Sequence, residues 1–173
     1  MNESEVRVAV MRYAKQFCLV AKVQALPGDL LFTIDGKLTR VPTSHSVQID
    51  RDIHIDLPEG YTHAEIMDRF FWRYMNHSCD PTAVVCGREV FALRPLAPGQ
   101  EVSFDYHTTE YELAESFSCH CGSPRCLGQI RGFRFLAAED RQRLRPWVAD
   151  HLLDGRDDPE DSRGEGGWTD LCR

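Results

Sequence analysis

Positive charge is scarce in this 173-residue chain: 20 lysines and arginines stand against 27 acidic residues, a net charge of −7. A nucleic-acid binder would carry a basic face, so direct nucleic-acid binding is not expected. An acidic surface suits basic partners such as lysine-rich segments. Long apolar runs are missing too. None approaches the roughly 20 residues of a membrane helix. The segment MNESEVRVAV has neither the basic start nor the apolar stretch of a signal peptide, which predicts a soluble intracellular protein, cytoplasmic or nuclear. No GxGxxG follows a strand, no internal repeat is present, and strands do not alternate with helices. The missing strand–helix alternation speaks against a doubly wound nucleotide-binding fold.

What is present reads as mainly β with short helices. Hydrophobic residues make up 42% of the chain, enough for a core. FCLVAKV and LLFTIDG read as strands around the turn ALPGD. SHSVQID and IHIDL alternate apolar and polar residues, as half-buried strands do. AVVCG, REVFALRPL and APGQEVSFDY read as strand, strand, turn, strand. YTHAEIMDRFFWRYM holds a short helix, and residues 136–153 are helical with a break at Pro146. Residues 154–173 carry seven acids against three arginines and are expected to form a flexible acidic tail.

Seven cysteines cannot all pair internally. In a reducing compartment, clustered cysteines point to metal. CHCGSPRC places thiols at 119, 121 and 126, and the turn residues Gly122, Ser123 and Pro124 bring Cys126 back. A structural zinc wants four ligands. Cys79, in the hexapeptide NHSCDP, is the leading candidate for the fourth, with His77 and His120 as rivals. Cys18 and Cys86 read as small core residues. The five histidines at 45, 54, 63, 107 and 151 show no ligand spacing and read as surface or satisfied side chains.

RYMNHSCDP, GQEVSFDY and CHCGSPRCLG, in that order, resemble the SET-domain methyltransferases over roughly residues 7–135. The resemblance implies small curved sheets with a C-terminal pseudoknot over residues 7–116. It also implies a post-SET zinc-binding segment at 117–135, followed by a helical extension at 136–153. It implies transfer of a methyl group from S-adenosylmethionine to a lysine of a protein substrate with a basic segment. Tyr106 matches the catalytic tyrosine. Arg73, Asn76 and His77 match cofactor contacts, joined by Phe17, Tyr106 and the lid residue Leu127. Phe104 and Tyr106 match the lysine channel, and Cys79, Cys119, Cys121 and Cys126 match the zinc ligands.

The chain departs from the family pattern at the N-terminal Gly-x-Gly, where KQFCLVAKV carries Gln16 and Cys18. SHSVQID also lacks the tyrosine often found in one channel wall. The alternative to an enzyme is a non-catalytic, zinc-stabilised interaction module that keeps the fold, and cofactor binding separates the two. The oligomeric state is not set by these residues.

Overall fold

The computed structural model describes residues 6–13 and 16–153. The acidic segment 154–173 lies outside the described residues, and so does the expectation of a flexible tail. Two strands open the fold, β1 (Val8–Tyr13) and β2 (Gln16–Ala21), paired antiparallel with Val8 opposite Ala21. β3 (Leu30–Thr33), β4 (Lys37–Thr39), β5 (Val47–Asp50) and β6 (Ile53–Asp56) follow. β6 is the middle strand of a three-stranded sheet, flanked by β4 and β5.

Helix α1 (His63–Arg69) starts at a capping box. The Thr62 hydroxyl accepts the Glu65 N–H, and the Glu65 carboxylate accepts the Thr62 N–H at 2.8 Å. A 3-10 turn, Phe71–Tyr74, continues the chain and buries Phe71 and Trp72. The Trp72 indole donates to the Asp35 carbonyl at 2.9 Å, fixing this turn against the chain after β3. β7 (Asn76–His77), β8 (Ala83–Cys86), β9 (Glu89–Ala92) and β10 (Ser103–Phe104) come next. β9 lies between β3 and β8.

All four residues of β8 are buried. Val85 joins the main core, while Val84 and Cys86 join a cluster with Phe91 that Trp147 covers from the C-terminal extension. Both faces are shielded, so the segment is continuously apolar and does not alternate.

β11 (Phe117–Ser118) and β12 (Gln129–Ile130) bracket the cysteine loop as an antiparallel pair. α2 (Ala138–Leu144) then passes into a 3-10 turn that holds Pro146, and α3 (Asp150–Leu153) closes the described chain. Proline has no N–H and its ring crowds the preceding turn, so the α-helix stops where the sequence predicts. Leu144, Val148 and Leu152 bury against Phe133 and Tyr111. The mainly-β expectation holds. Among the described residues no helix is long and apolar enough to cross a membrane.

Candidate active site and metal centre

The site begins with a pairing of two-residue strands. β7 and β10 run parallel, with Asn76 opposite Ser103 and His77 opposite Phe104. Parallel neighbours need a crossover, and here the β8–β9 hairpin supplies it. The Ser78 N–H donates to the Phe104 carbonyl and the Thr82 N–H to the Ser103 carbonyl, both at 3.0 Å. NHSC and VSFDY are thereby stitched edge to edge.

Tyr106 leaves β10 in a 3-10 turn, Tyr106–Thr108, capped by the Asp105 carboxylate, which accepts the His107 N–H at 3.1 Å. The Tyr106 hydroxyl donates to the Met75 carbonyl at 2.9 Å. Its ring lies 4.7 Å from the Phe104 ring and 5.2 Å from the His77 ring, centre to centre. Burial raises the phenol's pKa, and the carboxylates of Glu110 and Glu101 push it the same way. The hydroxyl therefore stays protonated at neutral pH and serves as a hydrogen-bonding group, not as a base.

His77 is pinned on both sides. Its Nδ1 accepts the Tyr106 backbone N–H at 3.2 Å, and its Nε2 lies 3.2 Å from the Cys79 sulfur. The accepting Nδ1 leaves the proton on Nε2, directed at the thiol. Burial brings this imidazole's pKa down to about 4, against a smaller opposing pull from Asp105.

The sulfur atoms of Cys79, Cys119, Cys121 and Cys126 all lie within 4.8 Å of one another. Four sulfurs on one tetrahedral zinc would sit roughly 3.8 Å apart, from Zn–S bonds of about 2.3 Å. The donor set fits that ion. Burial raises the Cys79 thiol and pushes Cys119 up to about 11. At Cys121 burial also acts upward, but the Ser123 N–H and neighbouring thiols outweigh it and bring the thiol down to about 7. Thiols this close repel one another when ionised, and a cation removes that repulsion.

A cavity of about 600 Å³ opens beside these groups. One wall is Phe104 and Tyr106, another is the loop from Thr43 to Val47, and a third runs from Leu113 to Cys121. Arg73, Asn76 and His77 also line it, joined by Gln16 and Glu101. The Asn76 amide donates to a Glu101 carboxylate oxygen at 2.7 Å. Arg73 makes no ion pair among the described residues.

Two expected cofactor residues lie elsewhere. Phe17 is not among the lining residues; its ring packs on Tyr74 at 5.4 Å and His63 at 5.7 Å, and its neighbour Gln16 faces the cavity. Leu127 packs on the cysteine cluster, where its N–H donates to the Cys79 sulfur.

Some site residues were not singled out in the sequence. Glu101 stands inside GQEVSFDY, so its motif carried the signal. Glu110 carried none, because an acidic residue after HTT reads as surface. It is buried, and its Oε1 accepts the Gln48 N–H at 2.7 Å and the Thr109 hydroxyl at 3.2 Å. Burial pushes its pKa up to about 7. His54 and His107 are both buried. His107 is satisfied by Asp105 at 2.8 Å. His54 departs from the expected surface or satisfied histidine: its Nδ1 has no partner among the described residues.

Residues 9–107 match the SET domain family model. This chain belongs to the SET-domain family. It is 31% identical over 137 residues to a methyltransferase of Aspergillus flavus, flvH, covering 75% of this chain and 69% of that protein. It is 29% identical over 146 residues to an H3 lysine-36-specific histone-lysine N-methyltransferase of Gibberella zeae. That match covers 72% of this chain but 15% of the relative. KRYPTONITE, solved in complex with mCHG DNA and SAH, shares the fold with a TM-score of 0.52 at 22% identity, over 70% of this chain and 28% of that one. The Aspergillus flavus and Gibberella zeae relatives are both methyltransferases.

Proposed function

We propose that this protein transfers the sulfonium methyl of S-adenosylmethionine to a lysine side chain of a basic protein, histones being one such class. The observation that carries the reading is the Tyr106 hydroxyl, held on the Met75 carbonyl in the wall of the 600 Å³ cavity. Named relatives support it, since they include a methyltransferase and a histone-lysine methyltransferase. A pocket of this size suits a cofactor-sized ligand. Arg73 offers a cation for a carboxylate, and Asn76 offers an amide at the rim. S-adenosylmethionine supplies an activated methyl group on a positively charged sulfur.

The chain's own work is positioning. Methyl transfer is an in-line displacement by a neutral amine, so orientation provides much of the rate. Tyr106 keeps its proton and donates it to Met75, so its oxygen lone pairs remain to orient an incoming amine. Phe104 packs on the same ring and narrows the approach, which bears on how many methyl groups fit. The aromatic rings of Phe104 and Tyr106 and the positive sulfonium of the cofactor disfavour the ammonium form and help shift the lysine below its ordinary pKa of about 10.4.

Residues 117–135 act as the post-SET lid, with one zinc on Cys79, Cys119, Cys121 and Cys126 tying it to β7. The zinc's contribution is structural. The test is incubation with methyl-labelled S-adenosylmethionine and a panel of basic proteins, with mass spectrometry of the labelled sites. Label on lysine is expected; no transfer, with no cofactor binding by calorimetry, would leave an interaction module instead.

A further inference from the structure

Glu110 is a buried carboxylate in the wall of the cavity, four residues beyond Tyr106. Its backbone is locked: its N–H donates to the Tyr106 carbonyl at 2.9 Å, and its own carbonyl accepts the Phe133 N–H at 2.8 Å. Its side chain is aimed by Gln48 and Thr109, and both of those hydrogen bonds fall on Oε1. Oε2 accepts no hydrogen bond among the described residues and lies 3.8 Å from Nε2 of His54. The partnerless Nδ1 of His54 lies on the far side of the same ring. Burying a carboxylate costs free energy, and among the described residues no lysine or arginine pairs with this one.

We propose that Glu110 is the base that takes the proton a substrate lysine must shed, with His54 as the next acceptor behind it. The proposal rests on the lysine-methylation reading above. The balance is simple. An N–H bond of the ammonium breaks, the proton goes to Oε2 of Glu110, and the nitrogen keeps the electron pair that displaces the sulfonium. Tyr106 cannot take this role, because its phenol is held protonated.

A base works best with a pKa near the working pH, and burial puts Glu110 at about 7. The charged and titratable groups around the pair are consistent with that. Tyr106 and Glu110 both line the cavity, and the Glu110 charge acts on the Tyr106 phenol. Burial and His151 of α3 hold His54 towards its neutral form, opposed by Asp52 before β6 and Asp56 at its end.

The experiment uses the full chain, a lysine peptide from a labelled site, and the same peptide with S-aminoethylcysteine, a less basic amine, in place of lysine. Glu110→Gln keeps the Oε1 acceptor. It is expected to lose about 100-fold in kcat/KM near pH 7, with the loss shrinking towards pH 9 and on the aminoethylcysteine peptide. Glu110→Asp should recover part of the rate. Without cofactor, a carbon-13 NMR titration should show a carboxyl with a midpoint near 7 in the wild type that is missing from Glu110→Gln.

Equal loss at pH 7 and 9 on both peptides, or no such carboxyl, overturns the proposal. His54→Gln should move the acid limb of the pH profile while preserving its height at pH 9. An unmoved limb overturns the proposal whether or not Glu110→Gln folds. A wild type that labels no lysine at any pH would overturn the methylation reading itself.

Discussion

The Tyr106 hydroxyl and the Met75 carbonyl meet at 2.9 Å across 31 positions of sequence. This bond ties the turn after β10 to the residue before β7, so the phenol is fixed by the same pairing that closes the cavity. Removing the hydroxyl leaves the ring packed on Phe104 and His77 and the carbonyl without its donor. Tyr106→Phe is therefore expected to cost about 1–3 kcal/mol in stability. Cofactor binding should persist while methyl transfer falls by about 100-fold or more. Calorimetry, denaturant melts and a labelled-methyl assay on one preparation check this; turnover near wild type would remove Tyr106 from the chemistry.

Metal removal should separate the lid from the core. Cys79 follows β7, while the other three cysteines of the cluster lie between β11 and β12. The strands around Leu19, Val85 and Val90 bury their side chains without help from the thiols. Chelation should abolish activity and mobilise residues 117–130 while most circular dichroism survives, unlike a small zinc finger, which unfolds outright. Cys79→Ser should do the same, and Cys18→Ser, on β2, should retain metal. Zinc content measured beside hydrogen exchange decides it: a Cys79→Ser protein with full zinc would break the link.

Gly132 sits at φ +114° between β12 and the turn at Phe133. A Cβ there would come 2.6 Å from the Tyr111 carbonyl oxygen and 2.7 Å from the Glu112 Cα. Both are backbone atoms, so no rotamer change relieves the clash. Gly132→Ala should destabilise by about 2 kcal/mol or more and loosen the bond from the Phe133 N–H to the Glu110 carbonyl. A melt within a degree of wild type would count against this.

The buried Glu110 makes stability depend on pH. Its folded pKa, about 7, lies above the ordinary value of 4.5. The folded state thus binds the proton more tightly than the unfolded chain. Its contribution is complete below pH 4.5 and is lost as the pH rises through 7, amounting to at most roughly 3 kcal/mol. Glu110→Gln should flatten that decline and exceed the wild type in stability at pH 8. Parallel melts from pH 4.5 to 8 test it, and superimposable curves would show that the carboxyl is not desolvated.

Much of the architecture was legible in the sequence because its signals are local. Alternation marked β5 and β6, turn residues separated β8 from β9, and Pro146 placed the break after α2. The three motifs carried the family, and with it the residues that meet at the cavity. β1 went unread, since Met11 and Tyr13 on it are exposed and blur its pattern. β7, β11 and β12 have two residues each, too few for any period to show, whereas β10 falls inside the strand read in APGQEVSFDY. Gln48 and Glu110 escaped for a different reason. Each is polar, and only contacts some 60 residues apart explain their burial. Phe17 illustrates the limit of matching by position: in β2 the neighbouring residue faces the cavity.

The distance in sequence between Cys79 and Cys126 also sets a schedule. A nascent chain holds one of the four thiols for several seconds before the last emerges, at about 5–20 residues per second. For about the first half of that interval β7 also lacks its partner β10, and Cys79 stands two residues from the His77 imidazole. If the four thiols hold zinc as proposed, the cluster is open to oxidation and to the wrong metal until its last cysteine has emerged.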